Sequence, residues 1–425
     1  MIKVLIKGPI FSRSGYGEHT RYMYRALSSR PDLFDIFVHP TNWGQSSWNF
    51  DSSEETKSVE ACVNKLAQFQ GKFNISLQVL IPNEWENIAE KNIGVTAAIE
   101  TTYASPQWVY SSNFMDKIFV TSEHAKNTLK NPSHTVKTED GTEHILKLEK
   151  PITVISYPFR DTKPDNSSYE KIKLDTKFNF LTCAQVGPRK NLMNTIRWFV
   201  EEFKDEEDVG LVVKAHHINN SHIDLNKVKM LLSQAVHGVD HRKCRVFLLH
   251  GNMSDEEMNS LYKHPNIHAY ATITHGEGFG LPIFEAACNG LPVIAPAWSG
   301  QVDFLYDDVK NEKSGRIKRT PMFTKVKYKL DKVPQDAVWE NVIEADSEWC
   351  YPDELAYKKA LRGTIEAYKS KKITAEKLQK SLEKRLDQTK MFEKVVEEVL
   401  DVYPEDVAEL EDFLDGLTSE IQVHD

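Results

Sequence analysis

Short runs rich in β-branched residues alternate with segments of helical periodicity along most of this 425-residue chain. In the first part of the chain, the predicted strands are residues 2–7, 34–39, 75–80, 95–100, 118–122 and 153–156. Helical segments such as residues 17–29 and 123–129 separate them. This alternation predicts an α/β fold in which helices cover both faces of a parallel sheet.

A second series of the same kind follows residues 156–168, which are rich in Pro, Asp and Ser and which we interpret as a linker. Its predicted strands are residues 178–186, 210–214, 246–250, 267–272 and 292–296. Ser254 and Glu257 have the spacing of a capping box, and residues 282–289 are predicted to be helical up to Gly290. Residues 138–143 are predicted to form a hairpin turn.

The chain is long enough for two packed cores, so two domains are expected. We predict doubly wound domains at residues 1–157 and 158–385, followed by residues 386–425 as a C-terminal helix and an acidic tail. The pattern leaves open whether that helix crosses back to the first domain. Ligands bind beyond the carboxyl ends of parallel strands, so the cleft between the domains is the expected site.

Composition narrows the class of partner. A formal net charge of −9 gives no general basic field, so nucleic acid is not an expected partner, although a local basic patch stays open. No apolar stretch approaches the roughly 20 residues that span a bilayer, which leaves only peripheral membrane contact open. The five cysteines lack metal-ligand spacing, so we predict no zinc site and a reducing, cytoplasmic location.

The most informative segment is THGEGFGLPIFEAACNGLPVIAPAWSG, residues 274–300. Its glycines precede a predicted helix. Glycines let the backbone approach a ligand closely, and the free N–H groups at the start of the helix attract a phosphate group. Glu277 lies in the loop and Glu285 in the predicted first helical turn, so both carboxylates can face one pocket. Carboxylates accept hydrogen bonds from vicinal hydroxyls, which ribose and hexose both offer. A phosphate site between two diol binders fits a sugar nucleotide.

The stretch GEGFGLPIFEAACNGLPVIA resembles the signature of retaining glycosyltransferase family 4, close to EGFGLPxxEAxAxGxPV, and departs from it only at Cys288. The resemblance implies a GT-B fold, with two Rossmann-like domains facing each other across a cleft. It implies transfer of a sugar, with retention, from a UDP- or GDP-linked donor to a hydroxyl acceptor.

The same resemblance implies roles for individual residues. Glu285 would hold the ribose hydroxyls, and Glu277 would contact the hydroxyls of the donor sugar as a catalytic residue. Backbone donors to the sugar and diphosphate would come from four consecutive residues: Gly278, Phe279, Gly280 and Leu281.

Arg189 and Lys190 follow a predicted strand and precede a predicted helix, where they can neutralise a leaving diphosphate. Cations oppose the helix dipole at that position, which favours a functional reason for them. They resemble the basic pair of family 4, although the family spacing between Arg and Lys is longer. No Asp-x-Asp motif accompanies them, so we predict that the enzyme needs no metal and no other cofactor.

The first domain carries weaker signals. Gly15 and Gly17 lie in a glycine-rich loop similar to that of the family, and such a loop can move over a bound donor. Glu100 and His124 are predicted on the cleft rim as acceptor-side residues, and an ordinary rim position is the alternative for both. Trp43 and Trp85 are candidates for stacking on an acceptor sugar, with burial in the core as the alternative.

Two other functions stay open on sequence grounds. One is a phosphorylase of GT-B architecture, which would need a pyridoxal-phosphate lysine. The other is a non-catalytic nucleotide-binding or scaffold protein on the same fold. The acceptor is also open, and a glycan, a lipid-linked sugar, a protein side chain or a modified nucleobase are the alternatives.

Overall fold

The computed structural model describes residues 1–49, 51–137, 141–165, 167, 171–239, 241–310 and 314–403. The strands of the first part of the chain are β1 Ile2–Gly8, β2 Phe34–Pro40, β3 Ile75–Val79, β4 Lys91–Thr96, β5 Lys117–Val120, β6 His134–Lys137, β7 Glu143–Leu146 and β8 Ile152–Val154. The helices are α1 Gly15–Ser28, α2 Glu54–Gln68, α3 Pro106–Ser112 and α4 Glu123–Lys130, with a 3-10 turn at Pro82–Glu84.

The strands of the second part are β9 Phe178–Gln185, β10 Val209–His216, β11 Arg245–Leu249, β12 Ala269–Ala271, β13 Val293–Pro296, β14 Tyr306–Lys310, β15 Ile317–Pro321, β16 Thr324–Val326, β17 Tyr328–Lys332 and β18 Glu348–Pro352. The helices are α5 Leu192–Phe203, α6 His222–Ala235, α7 Asp255–Tyr262, α8 Leu281–Cys288, α9 Val302–Leu305, α10 Glu354–Glu366, α11 Tyr368–Arg385 and α12 Gln388–Leu400, with a 3-10 turn at Gln335–Ala337.

Each part of the chain builds one six-stranded parallel sheet. The first has the order β2-β1-β3-β4-β5-β8 and the second the order β11-β10-β9-β12-β13-β16. The strands are apolar because helices cover both faces, as expected for parallel sheets, and Ile75, Leu77 and Val79 of β3 are fully buried. The predicted architecture of two doubly wound domains facing each other across a cleft is therefore confirmed.

Serine side chains begin several of the helices. Each accepts a hydrogen bond from a backbone N–H of the first turn, as at Ser14 for α1, Ser122 for α4 and Ser254 for α7. The predicted capping box of Ser254 and Glu257 is present in both directions. These local signals fix where the helices nearest the cleft start.

The strand order of each sheet also places the site. In the second sheet the order reverses between β9 and β12, and in the first sheet it reverses between β1 and β3. Ligands bind in the crevice at such switch points, outside the carboxyl ends of the strands. The loops that follow β1, β9 and β12 are therefore the ones that can meet a ligand between the domains.

One predicted strand is wrong in position. Residues 95–100 were expected to be extended, whereas β4 is Lys91–Thr96 and Ala98 has a φ of +52°. The strand starts earlier than predicted, and the buried Asn92 side chain within it accepts hydrogen bonds from the N–H groups of Ile88 and Ala89 at 3.1 Å, so this polar residue is satisfied inside the sheet. Glu100 therefore lies in a loop beyond the strand rather than at its end.

The segment after residue 321 contains a strand that periodicity did not predict. The short strand β16 is the sixth of the second sheet and pairs with β13. Beside it, β14 and β15 form one antiparallel pair, and β17 and β18 form another. Strand β16 has only three residues, with a lysine at its centre, so it is too short to show an alternation of apolar and polar residues.

Helix α12 lies against the first domain. Tyr22 of α1 donates a hydrogen bond to the carbonyl of Met391 at 3.3 Å, and the buried Lys117 pairs with Glu398 and Asp401 at 2.5 and 2.7 Å. The predicted acidic tail, residues 404–425, lies outside the described residues, as do residues 138–140 of the predicted hairpin turn between β6 and β7. Within the described ranges, no helix is long and apolar enough to cross a membrane.

Candidate functional site

A cavity of about 650 Å³ lies between the two domains, at the switch points of both sheets. Its walls include Tyr16 from the first turn of α1, Lys190 from the loop after β9 and Glu277 from the loop after β12. Glu285 of α8 lines the same cavity. The volume is in the range of ligand pockets, so the predicted carboxylates and cations share one concave site.

Glu277 is buried in the wall of this cavity. Lys190 Nζ donates to both of its carboxylate oxygens at 2.7 and 2.6 Å, and Arg189 Nη1 donates to Oε2 at 3.1 Å. Burial opposes ionisation of Glu277, but the charges of Lys190 and Arg189 outweigh it and hold its pKa below the usual range. Glu277 is therefore a carboxylate with a fixed orientation.

The backbone around Glu277 is held as firmly as its side chain. Its N–H donates to Ser299 Oγ at 2.9 Å, and its carbonyl accepts from the N–H of Gly300 at 2.8 Å. Ser299 has a φ of +66°, a left-handed conformation that is uncommon for a residue with a side chain. The loop after β13 thus supports the loop that carries Glu277.

Arg189 joins the two domains at this point. Its Nη2 pairs with Glu100 Oε1 of the first domain at 3.1 Å, and its Nη1 donates to the carbonyl of Gly276 at 2.6 Å. Burial lowers the pKa of Lys190, whereas for Arg189 the charges of Glu100 and Glu277 outweigh burial and raise the pKa. Both cations line the cavity and keep N–H groups that these partners do not use.

Glu285 is in a different environment. Tyr262 donates a hydrogen bond to Glu285 Oε2 at 2.8 Å, and no cation pairs with this carboxylate among the described residues. Burial raises the pKa of Glu285 to about 7. The expectation that Glu285 lies in the first helical turn is wrong, because α8 begins at Leu281 and Glu285 is its fifth residue.

The glycine-rich loop forms a contact between the domains. A side chain at Gly278 would meet the carbonyl oxygen of Ala97 at 2.6 Å. The Gly278 carbonyl also accepts hydrogen bonds from the hydroxyls of Thr121 and Ser122 at 3.1 and 2.6 Å. Glycine is thus required at this position by the approach of the first domain, which the motif alone did not indicate.

The residues that follow Gly278 line the cavity, while the side chain of Phe279 is buried. The ring of Phe279 is buried against Tyr157, Phe284 and Phe304 at centroid distances of 4.9 to 5.1 Å, so it belongs to the core. Gly280 has a φ of +97° and immediately precedes α8. Gly278, Phe279, Gly280 and Leu281 all line the cavity, so their predicted backbone contacts are geometrically accessible.

Gly15 and Gly17 were predicted in a loop, whereas the structure has both in the first turn of α1, and their surroundings differ. Gly15 lines the cavity, and a side chain there would meet nothing within 4 Å. Gly17 is not among the lining residues, and a side chain there would meet the carbonyl oxygen of Ser12 at 2.0 Å. Gly17 is therefore explained by packing at the start of α1 rather than by ligand contact.

Of the residues predicted on the acceptor side, some line the cavity and others do not. Glu100 lines the cavity, but the His124 ring packs edge-on against Trp298 at 5.0 Å and does not line it. Burial lowers the pKa of His124 to about 4, so it is neutral at physiological pH. Trp85 is a core residue whose indole N–H donates to the Gln78 carbonyl at 2.9 Å, whereas Trp43 lines the cavity.

Sequence reasoning missed several residues that shape the cavity, among them Tyr16, Arg160 and Tyr262. Arg160 joins Glu18 of α1 to Asp255 of α7 at 2.9 and 3.0 Å, so it bridges the domains. A lone arginine in a linker and tyrosines within helical patterns carry no signal of their own, because only the fold brings them to the cleft.

Two further groups bear on chemistry. Burial raises the pKa of the Cys183 thiol to about 12, so it is not a nucleophile at neutral pH. Over the described ranges, no group of three or more His, Cys, Asp or Glu side chains is placed to hold a metal ion.

No protein-family model matches this chain. Over 131 residues, or 31% of its length, the chain is 30% identical to the serotype-specific mannosyltransferase WbdA of Escherichia coli. The matched segment spans only 15% of that protein. The similarity is therefore local.

The whole chain is similar in structure to proteins of known fold. HepE of Anabaena, in complex with UDP and glucose, has a TM-score of 0.59 and 13% identity, covering 94% of this chain and 100% of that one. Sucrose-phosphate synthase of Thermosynechococcus elongatus has a TM-score of 0.60 and 13% identity, covering 95% and 100%. At this identity the likeness concerns the fold, and it shows that the chain has the GT-B fold. The fold and the local similarity to a mannosyltransferase both agree with the resemblance to family 4 glycosyltransferases.

Proposed function

We propose that this GT-B protein is a retaining glycosyltransferase that moves a sugar from a nucleotide-diphosphate sugar, UDP- or GDP-linked, to a hydroxyl acceptor. The observation that carries the proposal is that Glu277, Lys190, Arg189 and Glu285 line one cavity between the domains. HepE binds UDP-glucose with a related fold, which supports a UDP-linked donor.

In this proposal the donor lies along the cavity, with its ribose at Glu285 and its sugar at Glu277. Lys190 and Arg189 turn their unused N–H groups toward the diphosphate, and the backbone of residues 278–281 donates to it as well. Charge of opposite sign, fixed before the reaction, stabilises the leaving group with little reorganisation.

The proposed reaction takes place on one face of the sugar. The bond between the anomeric carbon and the diphosphate oxygen breaks, and a bond to the acceptor oxygen forms. The acceptor proton passes to the leaving diphosphate, which becomes the second product. Glu277 is held by two cations and positions the sugar rather than attacking it. The resemblance to family 4 supports this course, and we propose that the reaction needs no metal.

A donor screen tests the proposal. UDP, GDP and ADP, each free and linked to glucose or mannose, are added to the protein, and the melting temperature is measured. A bound nucleotide stabilises the folded state by mass action, so we expect one nucleotide series to raise it. Release of nucleoside diphosphate from the matching donor, with and without sugar acceptors, then measures activity.

The outcomes separate the alternatives. Binding with release supports the transferase. Binding without release from any donor favours the non-catalytic scaffold, and no binding of any nucleotide contradicts the proposed site. A matched control is Glu366→Ala, because Glu366 is exposed at the end of α10 and does not line the cavity.

A further inference from the structure

The first-domain wall of the cavity carries aromatic and polar side chains that are not among the proposed donor contacts. Tyr16, Trp43, Gln45 and Glu100 line the cavity from this side. The wall combines an aromatic ring with an amide and a carboxylate. That combination offers both an apolar face and hydrogen-bond acceptors to a second ligand.

The aromatic part of this wall is rigid. The rings of Trp43 and Tyr16 stack at 4.1 Å with an angle of 22° between their planes. Tyr16 is fixed by a hydrogen bond of 2.7 Å between its hydroxyl and that of Thr96. Since both rings line the cavity, the Trp43 ring is held in a set orientation before any ligand arrives.

The turn around Trp43 is held to the first domain as well. Ser46 Oγ donates to the Trp43 carbonyl at 2.9 Å and also shares a hydrogen bond of 2.6 Å with Ser12 Oγ. Gly44 has a φ of +49°, which allows the turn. A ring that is ordered in advance loses little entropy when a ligand binds.

The polar side chains of the wall, Glu100 and Gln45, have hydrogen-bonding groups that the described residues do not use. Glu100 pairs with Arg189 through Oε1, so its other oxygen is available to a ligand. The Gln45 side chain is exposed and forms no hydrogen bond with any residue in the described part of the chain. An amide and a carboxylate together accept several hydroxyl hydrogen bonds.

We propose that the acceptor is a sugar in the pyranose form, bound with its apolar C–H face on Trp43 and its hydroxyls at Glu100 and Gln45. This inference rests on the proposed transferase function and adds the class of acceptor to it. The acceptor hydroxyl bonds to the anomeric carbon of the donor sugar, the diphosphate leaves, and the hydroxyl proton goes to the diphosphate.

The wall fits other acceptors less well. A lipid chain would need an apolar channel, whereas Gln45, Ser46 and Asn49 of the segment that carries Trp43 also line the cavity. A nucleobase could stack on the Trp43 ring. It carries few hydrogen-bonding groups, all in the plane of its ring, so it would use the Glu100 carboxylate and the Gln45 amide less fully than a sugar with several hydroxyls.

Saturation-transfer NMR tests the inference without requiring turnover. The protein, saturated with the nucleoside diphosphate that binds it, is mixed with methyl α- and β-glycosides of glucose, mannose and galactose. Glycerol 3-phosphate, a serine peptide and adenosine serve as comparison probes. We expect at least one glycoside to bind, with the strongest signals from the protons of one ring face.

Three variants identify the ring that is responsible. Trp43→Ala should weaken glycoside binding about three- to tenfold, since aromatic contacts of this kind contribute on that scale. Trp43→Phe should retain most of it. Trp48→Ala is the matched control, because Trp48 belongs to the same segment but is 59% exposed and does not line the cavity. Nucleotide binding should be unchanged in all three, which also shows that they fold.

The results distinguish this inference from the function on which it rests. If the nucleotide binds but no glycoside does, or if Trp43→Ala leaves glycoside binding unchanged, the acceptor proposal is overturned and the donor site stands. Preferential binding of adenosine, the peptide or glycerol 3-phosphate also overturns it. If no nucleotide binds either, both proposals fail together.

Discussion

The two ends of the cavity hold a glutamate in opposite surroundings. At the cation end, Glu277 contacts Lys190 and Arg189, and its pKa is lowered because their charges outweigh burial. At the tyrosine end, Glu285 has Tyr262 as its hydrogen-bond donor, and burial raises its pKa to about 7. One carboxylate is thus permanently charged, whereas the other titrates near physiological pH.

This difference suggests separate tasks for the two ends. A leaving diphosphate gains negative charge during the reaction and needs cations that are already in place. Ribose hydroxyls carry no charge, so a carboxylate is sufficient to bind them and can do so without a permanent ion pair. The cation end should therefore control the rate and the tyrosine end should control affinity.

The largest effect is expected at the cation end. Lys190→Ala should lower kcat roughly 100- to 1,000-fold, as does the loss of a preorganised charge stabiliser in other enzymes. Nucleotide release is measured at saturating donor, with Lys369→Ala as control because Lys369 is exposed and does not line the cavity. A change in KM alone would show that Lys190 only binds the donor.

At the tyrosine end, affinity should change most. Glu285→Ala should weaken sugar-nucleotide binding about 10- to 100-fold, because a hydrogen bond to a charged group contributes about 1.5–3 kcal/mol. Isothermal titration calorimetry measures the Kd, and Glu366→Ala should leave it unchanged. Unaltered affinity in Glu285→Ala would place the ribose elsewhere.

The pH dependence distinguishes the two glutamates. With a pKa of about 7, Glu285 is mostly protonated at about pH 6 and mostly ionised at about pH 8, so donor affinity should rise roughly tenfold between them. A sugar nucleotide is the appropriate ligand, because its diphosphate has no terminal phosphate that titrates in this range. Glu285→Gln should flatten the profile. A profile that falls with pH would contradict the assignment.

The smallest expected effects concern stability of the ligand-free protein, and they have opposite signs. The raised pKa of Glu285 gives stability that is fully present below 4.5, the ordinary value, and is lost as the pH rises through about 7. At about pH 8, Glu285→Gln removes a buried charge and should raise the melting temperature by about 2–4 °C. Glu277→Gln should lower it, because the lowered pKa shows that the ionised form is favoured in the folded state. Changes of melting temperature in the same direction for both variants would mean that the surroundings of the two carboxylates do not differ.

The sequence predicted most of what lies within one segment. Strands and helices follow from periodicity, and Glu277, Glu285, Arg189 and Lys190 follow from a dense motif and its surroundings. Contacts between segments were not predictable in this way. The approach of Ala97 to Gly278 and the stacking of Trp43 on Tyr16 depend on how the domains meet.

The sequence placed β4 wrongly and did not predict what the His124 ring contacts. The β4 strand starts among polar residues, where Asn92 Oδ1 accepts a hydrogen bond from the Ser76 hydroxyl of β3 at 2.9 Å, so a polar side chain is satisfied by a neighbouring strand. His124 follows β5, and its ring packs on Trp298 of the other domain and does not line the cavity. Strand ends locate a loop, and packing decides which side chains of that loop face the ligand.

The central claim is that one sugar nucleotide spans the cavity from the tyrosine end to the cation end. A crystal structure of the protein with the nucleoside diphosphate that raises its melting temperature tests this directly. We expect both ribose hydroxyls within hydrogen-bond distance of Glu285 and the diphosphate within reach of Lys190 Nζ and Arg189. A nucleotide bound outside the cleft, or with its diphosphate at Glu285 and away from both cations, would contradict the account.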